Sequence, residues 1–392
     1  MIVDLTRYKE FLDVRDEPQE MLKNRKFFYN NLGESFSFPN YRYSSFVKMN
    51  LPPFELADIE INSKSEFIID ADENIKIHKE ISDELYSHYI KQFETNVSED
   101  IDQFHSLFLN KILVIEIPEN HVSLKPITIE LDANDIVFSS VFLIGGKDSS
   151  TKVIFKRKST DSSVFVSSRL NLILKSGAKM DLVDVQDYST ETIAIEKSML
   201  HSQDSANLAL SAICIGGKYS KSDYFSELDG DSSSSEIRVL SLTTEKRKHN
   251  ILTQSKHNAP GTYSDIFTKA VVADKAKSLS IGNVCIGQDA FNSNGYETQN
   301  ALLISETAEA DAIPNLEIHN HDVKCSHGST ISQIDENQIF YMMSRGVSRK
   351  NAELMLIKGF FNDILERIGD DEITESAYNK IDAMLSRKFD NE

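Results

Sequence analysis

The chain has 392 residues, 40% hydrophobic and 26% charged, enough to bury a sizeable core as one elongated domain or as two or three. A net charge of −19 at pH 7 argues against a phosphate-backbone binder, which needs clustered Lys and Arg. Three cysteines without framework spacing, no signal-peptide pattern and no apolar run near the ~20 residues that span a bilayer point to a cytoplasmic protein, free of nucleic acid and membrane.

Residues 1–48 read as helix, with Tyr8, Phe11 and Leu12, then Met21, Leu22, Phe27 and Phe28 at helical spacing. They end in an aromatic, turn-rich piece, Phe36–Phe46. A short alternating run, FIIDADENIKIH, precedes a second helical region over 79–110, marked by Ile81, Leu85, Tyr89, Phe93, Ile101, Phe104, Leu107 and Phe108.

From Ile112 to Ile334 the period is two. Runs such as ILVIEIP, DIVFSSVFLI and SVFVSSRLNLIL are separated by Gly, Ser, Asn and Asp. GAKMDL (Gly177–Leu182), SANLAL (Ser205–Leu210), SSSEIRV (Ser233–Val239), KAKSLSI (Lys275–Ile281) and TAEADAI (Thr307–Ile313) each place small residues before an alternating strand. The first three recur roughly every 28 residues and the later ones more widely, as stacked supersecondary units do. Small corners suit a β-solenoid, whose coils stack ~4.8 Å apart. A two-sheet sandwich is the alternative, and the strand count favours the solenoid. The N-terminal helical region is expected to cap one of its ends.

After Gly346 the period is helical again. Ser348 is the expected N-cap, Ala352, Met355, Leu356, Phe360, Ile364 and Ile368 follow the helical period, Gly369 is the stop, and Ile373–Phe389 supplies a second helix. The adjacent Phe360 and Phe361 diverge by ~100°, so one can pack on the sheet while the other faces a partner. The expected fold is mainly β, a β-solenoid with helical flanks, divided into 1–110 (mainly helical), 111–338 (β core) and 339–392 (helical).

Chemistry concentrates in Pro314–Gly346, which holds His319, His321, Cys325 and His327. In a strand, Cys325 and His327 share a face. Imidazole and thiolate are the donors that hold iron and iron–sulfur clusters, although a satisfied histidine and a structural cysteine explain the same residues. A bend at HNHD would leave His319 and His321 as loop residues. Cys214 and Cys285, in apolar runs, read as core. GGKDSS (Gly145–Ser150) and GGKYSKS (Gly216–Ser222) resemble phosphate loops, but Val141 and Ala212 stand where the upstream glycine belongs, so ATP hydrolysis is not expected. A Cys325–His327 nucleophile pair lacks an identified orienting group. A carbohydrate-active β-helix is disfavoured by the absence of Trp.

The stretch Gln254–Phe361 resembles the SufB/SufD scaffold subunits of the Suf iron–sulfur cluster assembly system. The resemblance rests on HNAPGTYSDIFTKAVV, ETQNALLISETAEADAIPNLEI, DVKCSHGSTISQIDENQIFYMMSRGVS and AELMLIKGFF, with weaker matches upstream such as VDVQDYS (Val183–Ser189) and PNYRYSSF (Pro39–Phe46). It implies a right-handed parallel β-helix flanked by helices. SufB-type subunits carry a functional cysteine where Ala308 stands and read HEA where this chain reads His327-Gly328-Ser329, so the chain is closer to SufD.

From the same resemblance, His327 is the implied functional residue at a contact with a SufB-like subunit, with Cys325 as a second candidate ligand for a transient iron–sulfur cluster. Phe340, Tyr341, Arg345, Phe360 and Phe361 are implied in docking a SufC-like ABC ATPase, and a flavin is a further candidate in the assembled complex. The chain is thus expected to be a non-catalytic scaffold, with a homodimer combining the SufB and SufD roles as the alternative.

Overall fold

The computed structural model describes residues 2–4, 18–32, 35–37, 65–94, 100–159 and 164–389. Tyr8, Phe11, Leu12 and most of the Phe36–Phe46 piece lie outside them. Within 1–48, the helix α1 (Gln19–Leu32) forms as read, but β1 (Ile2–Asp4) and β2 (Ser35–Ser37) pair as antiparallel strands on either side of it. β3 (Phe67–Asp70) and β4 (Lys76–His78) come from the first alternating run. A helical stretch over 83–94, π-wound at Tyr86–Ile90, and α2 (Asp100–Phe108) complete the N-terminal part.

Sixteen strands follow, alternating between two parallel sheets. One sheet holds β6 (Ile127–Ala133), β8 (Ser150–Ser159), β10 (Lys179–Tyr188), β12 (Asn207–Gly216), β14 (Ser234–Thr243), β16 (Tyr263–Val272), β18 (Ser293–Leu303) and β20 (Val323–Gln333), in spatial order. The other holds β5 (Lys111–Ile117), β7 (Val137–Gly145), β9 (Phe165–Leu174), β11 (Ile193–Ser202), β13 (Tyr219–Leu228), β15 (Lys248–His257), β17 (Lys277–Ile286) and β19 (Glu309–Ile318). Strictly alternating membership makes this a parallel β-solenoid and not a sandwich. Each coil contributes one strand to each sheet.

The corners explain the repeat. Asp148, Gly177, Ser205, Ser232, Gly261 and Asn292 all have φ between 56° and 71° and precede β8, β10, β12, β14, β16 and β18. Gly, Asn, Asp and Ser are among the residues that enter this region at least cost or turn the chain readily. At all six of these corners the backbone N–H donates to a carbonyl of the next coil, as Gly177 does to Asp204 at 2.8 Å and Asn292 to Asp322 at 2.7 Å. The next residue (Ser149, Ala178, Ala206, Ser233, Thr262, Ser293) is buried at every coil. KAKSLSI and TAEADAI open β17 and β19 in the other sheet, which is why their spacing departs from that of the first three pieces.

Alternate residues from both sheets fill the lumen, in a core that includes Leu182, Leu210, Ile237, Ile266, Leu170 and Leu200. Midway along, charge enters this core. Arg157 is 1% exposed and forms ion pairs with Asp184 and Glu196. Tyr224 donates to Asp184 at 2.8 Å, and Tyr188 donates to Glu196. Burial still holds the Glu196 carboxyl up at about 7 and pushes the neighbouring Cys214 thiol up to about 12.

Among the described helices, α1 and α2 flank the outer face of one sheet, and the C-terminal helices flank that of the other. Phe104, Leu107 and Phe108 of α2 pack on Phe138, Phe165 and Ile193. Arg25 of α1 donates to the Ser106 and Leu109 carbonyls at 3.1 and 2.7 Å, satisfying the end of α2. The expected N-terminal cap is instead made by β3 and β4, which pair antiparallel with β6 and β5. At the other side, α3 (Glu336–Ser344) leads into α4 (Arg349–Ile368) and α5 (Asp371–Phe389). The Ser348 side chain caps α4, and Gly369 ends it at φ 58°. Ile357, Phe361, Ile364, Leu365 and Ile381 then bury the outer face of Ile213, Ile215, Leu240 and Val271. No helix among the described residues is long and apolar enough to cross a membrane.

Candidate functional site

The last coil, β19 and β20, has a preceding coil to pair with and, among the described residues, no strand beyond. Side chains that would be sealed one coil deeper are therefore open. In β20 the inward set is Val323, Cys325, His327, Ser329 and Ile331, in register with buried Ser293, Gly295, Glu297, Gln299 and Ala301 of β18. Cys325 and His327 thus share a face, as the alternation requires. Cys325 is half-buried against the end of the lumen core, and burial pushes its thiol up from the ordinary value. His327 is exposed.

One layer in, Glu297 is 2% exposed, and burial raises its carboxyl to about 7. Gln299 Nε2 donates to its Oε1 at 2.5 Å. The carboxylate occupies the space left by Gly282 on the facing β17, where an added Cβ would lie 1.4 Å from Oε1. Sequence reading missed Glu297. Its signal was the phase, since the glutamate of YETQN falls on the inward set two residues before Gln299.

The remaining candidates separate. His319 and His321 lie in the loop between β19 and β20, and His319 Nε2 meets exposed Glu317 at 2.9 Å. Cys214 is buried in the lumen, but Cys285 points outward on β17, half-exposed, 3.9 Å from Glu317, and so is not core. Its phase opposite to Val284 and Ile286 accounts for this. Ala308 sits in a corner with Ala270, Ala276 and Ala301. The two glycine-rich pieces are solenoid corners. Gly216 adopts φ 89° with the Tyr188 carbonyl 1.8 Å from where a Cβ would be.

On the helices, Phe340 is 73% and Tyr341 60% exposed, and Arg345 lies over the Tyr341 ring at 5.4 Å. Phe361 must be withdrawn from the docking set, because it is fully buried against the sheet. Phe360 is half-buried under Lys269, whose ammonium sits 5.0 Å from its ring and bonds Asp363 at 2.7 Å. Met343, not singled out in the sequence, and Met355, placed there on the helical period with the packed residues, are both exposed and extend the apolar surface.

Residues 128–360 match the family model described as SUF system FeS cluster assembly, SufBD core domain. The chain belongs to the SufBD family. It is similar to the iron-sulfur cluster assembly protein SufD of Escherichia coli (strain K12), at 32% identity over 171 residues, covering 44% of this chain and 40% of that protein. The SufBD family protein ycf24 of Porphyra purpurea is 31% identical over 163 residues, 42% of this chain and 32% of the relative. The chloroplastic protein ABCI7 of Arabidopsis thaliana is 24% identical over 232 residues, 59% of this chain and 49% of the relative. In each case this SufBD chain spans less than half of the relative's length.

Proposed function

We propose that this SufBD chain is a SufD-like, non-catalytic scaffold subunit for iron–sulfur cluster assembly, contributing His327 and Cys325 to a cluster site completed by a SufB-like subunit. The observation that carries the reading is the open last coil. It displays an imidazole and a thiol on its inner wall, beside two strand edges that a second solenoid end can extend.

Ala308 supplies no thiolate where a SufB-type subunit would, so the missing sulfur ligand comes from the partner. The cluster is cargo, held while it forms. Neutral imidazole ligates iron, and Cys325, once deprotonated by the metal, adds a thiolate. Exposed Phe340, Tyr341, Met343 and Met355 give α3 and α4 a docking face for a SufC-like ATPase, with Arg345 at its rim.

The test is co-expression with a cysteine-bearing SufB-like subunit and a SufC-like ATPase, followed by anaerobic reconstitution with iron and sulfide. His327→Ala should abolish cluster absorbance while the complex still assembles. Unchanged cluster formation and transfer in that variant would sink the assignment. Cluster loading of the purified chain alone would favour the homodimeric alternative.

A further inference from the structure

Among the described residues, no cation pairs with the buried carboxylate of Glu297. Its Oε2 is fully buried and has no hydrogen-bond partner among the described residues, and the Oε1 of Gln299 beside it is in the same condition. Among the described residues, the Gln299 side-chain amide and the Asn315 backbone amide favour its charged form. The contrast with Asp184 and Glu196 is direct, since both of those share Arg157. Buried carboxylates persist when they are paired, hydrogen-bonded or bound to metal. Here the position says which. Glu297 is the register partner of His327, one strand in from the open end, and Cys325 lies over Gly295 in the same inward set. Thiol, imidazole and carboxylate therefore line one wall of the two outermost strands.

Among the described residues these donors are not gathered into a ligating group, because the carboxylate reaches across to Gly282. Ligation therefore requires the carboxylate to leave the Gln299 amide and turn toward His327, its register partner.

We propose that Glu297 is a metal ligand of the open end, binding with His327 a single first-row divalent cation, the ferrous ion in the assembly role. A carboxylate oxygen and an imidazole nitrogen form a hard-to-borderline donor pair suited to such ions, and its one negative charge offsets part of the cation's charge in a water-poor layer. The inference rests on reading the open end as the cluster site, and it adds a step in which iron is captured by this chain before the partner supplies sulfur ligands.

The test is anaerobic titration of the full chain with Co²⁺, a spectroscopic stand-in for ferrous iron. Visible d–d absorption saturating at one ion per chain is expected. His327→Ala and Glu297→Gln should each weaken binding by about tenfold or more. Glu317→Gln, which removes an outward carboxylate on β19 of the facing sheet, should leave it unchanged. Glu297→Leu fills a similar volume without polar atoms and decides the matter if the amide variant fails to fold. Wild-type affinity and spectrum in the Glu297 variants would overturn the proposal, as would no Co²⁺ binding by the wild-type chain. Neither result touches the cluster-site reading, which stands or falls on His327→Ala in the assembled complex.

Discussion

Phe361 separates a core role from a docking role, and its burial sets the size of the effect. The ring is fully buried in a cluster with Ile213, Ile215, Leu240, Ile357 and Leu365, where α4 crosses the sheet. A buried phenylalanine removes roughly 150–250 Å² from water. At about 25 cal/mol per Å² this corresponds to some 4–6 kcal/mol. Truncation to alanine keeps part of that area but leaves a cavity, and Phe→Ala in cores costs about 3–5 kcal/mol. Phe361→Ala should therefore destabilise the unit formed by the sheet and α4 by about 4 kcal/mol, read as a lower urea midpoint with ATPase affinity unchanged in the fraction that stays folded. Phe340→Ala, at a 73% exposed position, should cost less than about 0.5 kcal/mol and instead weaken the ATPase complex. A loss below about 1 kcal/mol for Phe361→Ala would refute the packing argument and return the residue to the docking face.

Burial holds His249 and His257 at about 4, against 6.5 when unfolded, so both are neutral in the fold. Their contribution is complete above pH 6.5 and is lost as pH falls toward 4, by up to about 3 kcal/mol each. The stability difference between wild type and the double variant His249→Gln/His257→Gln should accordingly shrink over that window in chemical denaturation. Gly216→Ala forces a Cβ to within 1.8 Å of the Tyr188 carbonyl at φ 89°, so a loss above about 3 kcal/mol and poor soluble expression are expected. Ile331→Lys places a charge on the open inner face of β20, where the side chain is already 45% exposed. Its melting temperature should match wild type while complex formation with a SufB-like subunit, measured by light scattering, falls sharply.

Much of this fold was legible because a solenoid repeats its constraints. Each coil restates the two-residue alternation and the small corner, so errors at one coil are corrected by the next. Ser348 and Gly369 marked α4 for the same local reason, since a cap is a property of a few residues. What the sequence hid depends on which sheet or face a residue joins. KAKSLSI and TAEADAI look like the earlier corners but serve the other sheet. Cys285 sits among apolar neighbours but has the outward phase. Arg157, Asp184 and Glu196 look like ordinary surface charges until the register turns all three inward. Glu297 was hidden in the same way, because its meaning depends on His327, thirty residues on, being its strand neighbour.

The two ends of this solenoid are finished differently, and in the proposed complex that difference sets which end joins. At the N-terminal end the sheet edges are the short antiparallel β3 and β4, of four and three residues; at the other, among the described residues, they are the parallel β19 and β20, of ten and eleven. On the proposed reading, the chain joins a SufB-like partner through its parallel end, and the seam falls where His327 stands.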